Sequence, residues 1–153
     1  MYSRSEAFQL KQAFWTSFGK YLSLETNAEG RKINWINYHS GYKNVYFRMD
    51  ADQKKAIICI ELKHADTLLR HLYFDKFKTL HSFFTHALGE EWIWEQDTTD
   101  ENGESISKIY IELPGVNVLD QADWPAIISF LKPRMMKLDE FWNDVKDGFE
   151  ELR

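Results

Sequence analysis

Residues Ile33 to Lys63 read INWINYHSGYKNVYFRMDADQKKAIICIELK, and the second half of that stretch decides the fold. From Asn44 to Asp50, the apolar Val45, Phe47 and Met49 alternate with Tyr46, Arg48 and Asp50. From Lys55 to Lys63, Ala56, Ile58, Ile60 and Leu62 alternate with Ile57, Cys59, Glu61 and Lys63. A period of two marks a strand with one buried face. The polar Ala51-Asp52-Gln53-Lys54 between the two runs fits a four-residue hairpin loop. A loop of that length sets Asp50 opposite Lys55, Phe47 opposite Ile58 and Val45 opposite Ile60. All the apolar residues then share one face, and a slip of one residue would turn one strand's set to water. The second face carries Tyr46, Arg48, Ile57, Cys59, Glu61 and Lys63. It is too apolar to be wholly wet and too charged for a plain core, so another element is expected to cover half of it.

Upstream, Ser3 and Glu6 have the spacing of a capping box, and Ala7, Phe8, Leu10, Phe14, Trp15, Phe18 and Leu22 recur at helical spacing. This predicts a helix over about 5–22. Residues 31–38 alternate imperfectly and read as a further strand, with Ile33 and Trp35 on one face. Downstream, Asp66 is placed to cap a long helix whose apolar residues run to Leu88, with Gly89 ending it. Glu91 to Gln96 and Ser107 to Leu113 read as a strand pair joined by an exposed acidic loop. Asp123 caps a last helix that continues to Leu152, and Pro133 is expected to break or kink it. The order is α-β-β-β-α-β-β-α. No linker or low-complexity segment divides the chain, so 1–153 is read as a single α+β domain. Its mainly antiparallel sheet has four to five strands with long helices packed on it.

Composition narrows the setting. A chain of 153 residues can bury a core without staples. The lone cysteine, Cys59, cannot pair within the chain, which fits a reduced thiol in a cytoplasmic protein. The opening MYSRSEAFQLKQ has no apolar signal core and no run is apolar enough for a membrane span. A net charge of −5 disfavours a general binder of phosphate backbones.

The sharpest enzymatic pattern is Glu61-Leu62-Lys63, an E-x-K at a strand end like that of restriction-endonuclease-type nucleases. That chemistry needs a second acid beside Glu61 to share Mg²⁺, with Lys63 near the attacking water. In the register above, Asp50 lies six residues from Glu61, about 20 Å at about 3.4 Å per residue. Asn44, which is no carboxylate, faces Glu61. An Arg48–Glu61 pair is the structural explanation of that glutamate. The histidines at 39, 64, 71, 81 and 86 lack zinc-ligand spacing, and no phosphate loop or nucleophile motif occurs, so no metal or cofactor is expected. The mixture of cations and rings at Trp35, Tyr38, Lys43 and Arg48 is the best candidate for a contact with a protein partner or nucleic acid. The apolar stripe from Met135 to Leu152 would also suit a homodimer seam, if the chain does not remain a monomer by burying it internally.

The phrases FWTSFGKYL (14–22), INWINY (33–38), YFRMDAD (46–52), EEWIWE (90–95) and WPAIISFLKPRMMKLDEFW (124–142) together resemble a family of small bacterial domains of unknown function. The resemblance covers nearly the whole chain. It implies an intracellular bacterial protein of a family common in Bacteroidetes, whose members occur alone, the form this chain resembles, or appended to nuclease-like domains, with a link to DNA restriction or defence. It supplies no catalytic residues. Trp35, Tyr38, Arg48 and Glu61 are the positions within those phrases and the hairpin to test.

Overall fold

The structure is a computed structural model, and it describes residues 2–153. The hairpin is present as two antiparallel strands, β1 (Val45–Ala51) and β2 (Lys55–Leu62). Its faces are as expected, but its register differs by two residues: Val45 pairs with Leu62, Phe47 with Ile60 and Asp50 with Ile57. The cause lies at the turn. Ala51 stays in β1 and is buried, while Asp52 closes the loop. The Asp52 carboxylate accepts from the amides of Lys54 (2.8 Å) and Lys55 (2.9 Å), and its own N–H donates to Lys55 O at 2.9 Å. A shift of two, unlike a shift of one, keeps every side chain on its face.

The sheet is completed by β3 (Ile93–Thr99) and β4 (Ser105–Pro114), in the order β1-β2-β4-β3, with every pair antiparallel. These two strands run further than the sequence reading, and the acidic segment between them is a tight hairpin rather than an open loop. Asp100 Oδ1 accepts from Asn102 N at 2.9 Å and Glu104 N at 3.0 Å, and Gly103 supplies the positive φ of 78°.

Residues 31–38 form no strand. Asn34 Oδ1 accepts from Asn37 N at 3.1 Å and folds the segment into a turn, which accounts for the imperfect alternation. The sheet therefore has four strands, and the order is α-β-β-α-α-β-β-α.

Among the described residues, four α-helices form the second layer: α1 (Arg4–Leu22), α2 (Thr67–Thr79), α3 (His81–Leu88) and α4 (Trp124–Val145). The capping box of α1 is formed by Ser3 and Glu6, and Asp66 caps α2 by accepting from Leu68 N and Leu69 N. The long helix expected over 66–88 is interrupted at Leu80, where the Thr79 hydroxyl donates to Lys76 O at 2.6 Å. Gly89, with φ of 74°, ends α3. The last helix is not broken at Pro133; α4 runs through it, and a 3₁₀ helix (Lys146–Leu152) follows. Leu131 and Met135, on either side of Pro133, are wholly buried, and that packing holds the helix across the missing donor.

All four helices bury their stripes in one core with Ala56, Ile58, Ile60 and Leu62 of β2. Met135, Leu138, Phe141, Trp142 and Phe149 are spent inside the chain in this way. No helix among the described residues is long and apolar enough to cross a membrane.

Candidate functional site

The four residues predicted for binding divide between the interior and the surface. Trp35 is 3% exposed, and its indole N–H donates to Glu25 O at 3.4 Å. Its ring stacks on Tyr38 (6.1 Å between centroids), and Tyr38 stacks on Phe47 at 5.4 Å. The Tyr38 hydroxyl donates to Asp139 Oδ1 at 2.6 Å, while Ala28 N donates to Asp139 Oδ2 at 2.7 Å. Burial first, and then the adjoining Asp139 carboxylate, push the Tyr38 phenol well above its ordinary range. These contacts close a small cavity of about 120 Å³ beneath the turn at Asn27–Gly30. Tyr38 and Ala28 thus tie the 23–44 segment to α4, and Trp35 braces that segment from within.

Arg48 and Lys43 stay outside. The Arg48 side chain is half exposed, pairs with Glu61 at 3.0 Å and lies over the Tyr46 ring at 4.6 Å. Lys43 stands exposed in the turn before β1.

The E-x-K residues are both engaged by opposite charges. Glu61 pairs with Arg48, and Lys63 Nζ lies 3.2 Å from Asp100 Oδ2. The hydrogen bond to Asp100 raises the Lys63 pKa above its ordinary value. In the observed register Tyr46 faces Glu61, and Asp50, opposite Ile57, lies about 14 Å away along the strand at about 3.4 Å per residue. Among the described residues, no three His, Cys, Asp or Glu side chains converge as metal ligands.

A surface that the sequence reading did not single out lies beside β1. Phe8 is 67% exposed, and with Trp15, Gly19 and Ile36 it lines an open apolar cleft of about 500 Å³. Ile36 also lines a second groove of about 280 Å³, whose other wall is Tyr46 to Asp50 of β1. The signal was present in α1. Its buried stripe is Phe14, Phe18 and Leu22, and Phe8 and Trp15, seven residues apart, lie to one side of it. That helix has more apolar arc than its own core uses.

The strand beside this groove has one free side. Lys63 N donates to Asn44 O and Asp52 N to Lys55 O, both at 2.9 Å. Antiparallel alternation then turns the amides of Tyr46, Arg48 and Asp50 toward β2, and those of Val45, Phe47, Met49 and Ala51 outward. Val45 O accepts from Ser40 Oγ (2.7 Å), Val45 N donates to Tyr42 O (3.3 Å), and Ala51 N donates to Asp50 Oδ1 (2.8 Å). Phe47 and Met49 have no such partners among the described residues, so their N–H and C=O groups line the groove.

Fold and surface together define a two-layer α+β domain with helices on one side of an antiparallel sheet and an open edge flanked by apolar side chains. The chain belongs to the family described as domain of unknown function (DUF4268), whose model matches residues 10–146. The match takes in Trp15, Ile36 and all of β1. No curated protein and no solved structure matches the chain significantly.

Proposed function

We propose that this chain is a non-enzymatic accessory domain of a bacterial cytoplasmic system, one concerned with DNA restriction or defence, and that it works by binding a protein partner. The observation that carries the reading is the continuous uncovered surface from Phe8, Trp15 and Ile36 to the free edge at Tyr46–Asp50. Exposed large apolar side chains beside unpaired backbone groups are the features of a protein contact. Protein is favoured over nucleic acid because the chain is acidic and both cations that line this surface already have acidic partners, Arg48 in Glu61 at 3.0 Å and Lys11 in Asp50 at 3.7 Å. The test is affinity capture from the native host with the wild type and with Phe8→Asp and Ile36→Asp. A partner held by the wild type and lost from both folded variants supports the reading; one retained by both sinks it.

A second reading, a Mg²⁺-dependent nuclease using Glu61 and Lys63, draws on one observation, the Asp100 carboxylate that the β3–β4 turn brings beside Lys63. Metal-dependent cleavage of plasmid DNA that disappears in Glu61→Ala would establish it and displace the first.

A further inference from the structure

We propose that the partner seated on the β1 edge is a second copy of this chain, joined edge to edge into a continuous eight-stranded sheet. This rests on the reading of that surface as a protein interface and names its occupant.

The two edges of the sheet are differently built. At the β3 edge the pairing shifts between Glu95 and Thr98, where Arg70 and Ser107 turn the Gln96 carbonyl inward at 3.2 and 2.6 Å, and the strand carries Glu95 and Asp97. Irregularity and charge are devices that block strand addition. The β1 edge pairs without a bulge from Val45 to Ala51 and presents the free amides and carbonyls of Phe47 and Met49.

Charge then selects one register. Outward-facing residues must meet outward-facing residues, so a two-fold pairing of β1 with itself can centre on Phe47, Arg48, Met49 or Asp50. Centring on Phe47 sets Met49 against Val45, whose outward N–H and C=O are already taken by Tyr42 O and Ser40 Oγ. Centring on Arg48 sets arginine against arginine, and centring on Asp50 sets aspartate against aspartate. Like charges directly opposite are destabilising. Centring on Met49 places Arg48 against the partner's Asp50 and Asp50 against the partner's Arg48, on the face away from the helices. Met49 then exchanges both backbone hydrogen bonds with the partner's Met49, and Phe47 with the partner's Ala51. The Asp50 carboxylate now accepts from Ala51 N and lies 3.7 Å from Lys11 Nζ; as that amide finds its carbonyl, Asp50 meets the incoming guanidinium, which keeps its own Glu61 on the other side.

A strand ladder of this length falls short of the roughly 1,200 Å² at which stable interfaces begin. The apolar cleft supplies the remainder. A two-fold axis normal to the sheet sets both α1 helices on the same side of the joined sheet, with Phe8 and Ile36 of each copy flanking the seam.

The experiment is sedimentation equilibrium on the full chain with Arg48→Asp, Asp50→Arg, the double swap, and an equimolar mixture of the two single variants. Circular dichroism and thermal melts confirm that each is folded. The wild type is expected to dimerise, each single variant to weaken self-association by about tenfold or more, and both the double swap and the mixture to restore it. Met49→Pro is a second probe, because it removes an outward donor that the chain's own ladder does not use; it should leave a folded monomer. A wild type that is monomeric at its highest soluble concentration overturns the proposal, as does a dimer indifferent to both single swaps. A monomer that still captures a host protein through Phe8 and Ile36 would show the surface reading right and the second copy wrong.

Discussion

Tyr38 illustrates how a residue chosen for its exposure-friendly chemistry can be claimed by the interior. Its hydroxyl is one of two donors to the buried Asp139 carboxylate, the other being Ala28 N. Tyr38→Phe should cost about 2 kcal/mol in urea unfolding, because it strips a charge-assisted bond from a carboxylate that stays buried. His64 offers a test with a pH signature. It is buried against Tyr73 (4.3 Å between rings), and among the described residues neither ring nitrogen has a hydrogen-bond partner. Burial first, then the nearby Arg70 charge, lower its pKa. In the unfolded chain this imidazole takes up a proton near pH 6.5, whereas the folded chain resists until lower pH. Below about 6.5 the unfolded state therefore binds more protons, and stability falls as pH falls. His64→Phe, keeping the stacked ring, should gain more stability at pH 5 than at pH 8, measured by denaturant midpoints at both. None of these buried polar contacts could be read from the chain, because Asp139 meets Tyr38 and Arg70 meets Asp97 across long sequence separations.

Among the elements, legibility followed local chemistry. The alternation from Val45 to Leu62 and the caps at Ser3, Asp66 and Gly89 each act within a few residues, and they stand where the sequence puts them. The hairpin register was missed by two because Ala51 pairs with Ala56 and Asp52 makes the turn. The turn at 34–37 was misread as strand, though Asn34 and Asn37 are both turn formers. The unbroken α4 shows a local rule yielding to packing on both sides. Its cost should remain measurable. Pro133→Ala restores the donor and is expected to stabilise the chain by about 1–3 kcal/mol, read as a raised denaturant midpoint with unchanged slope. A neutral or destabilising result would mean that the proline ring itself packs productively.

At the scale of the whole molecule, the sheet wears its helices on one side only. The second face, expected to lie half beneath another element, is instead screened by its own side chains. Arg48 bridges to Glu61, Lys55 meets Glu112 at 2.6 Å, and Lys108 lies over the Tyr110 ring at 4.6 Å. Beneath that lattice sits Cys59, buried in β2, its thiol pushed up to about 12 by burial and then by Glu61. A thiolate is the form that alkylating reagents attack, so the native protein should resist iodoacetamide until the strands part. With one sulfhydryl in the chain, each labelling event is unambiguous. The chain thus carries a built-in clock: how fast mass spectrometry sees the carbamidomethyl adduct grow reports how often the sheet breathes open, without any probe having to be installed.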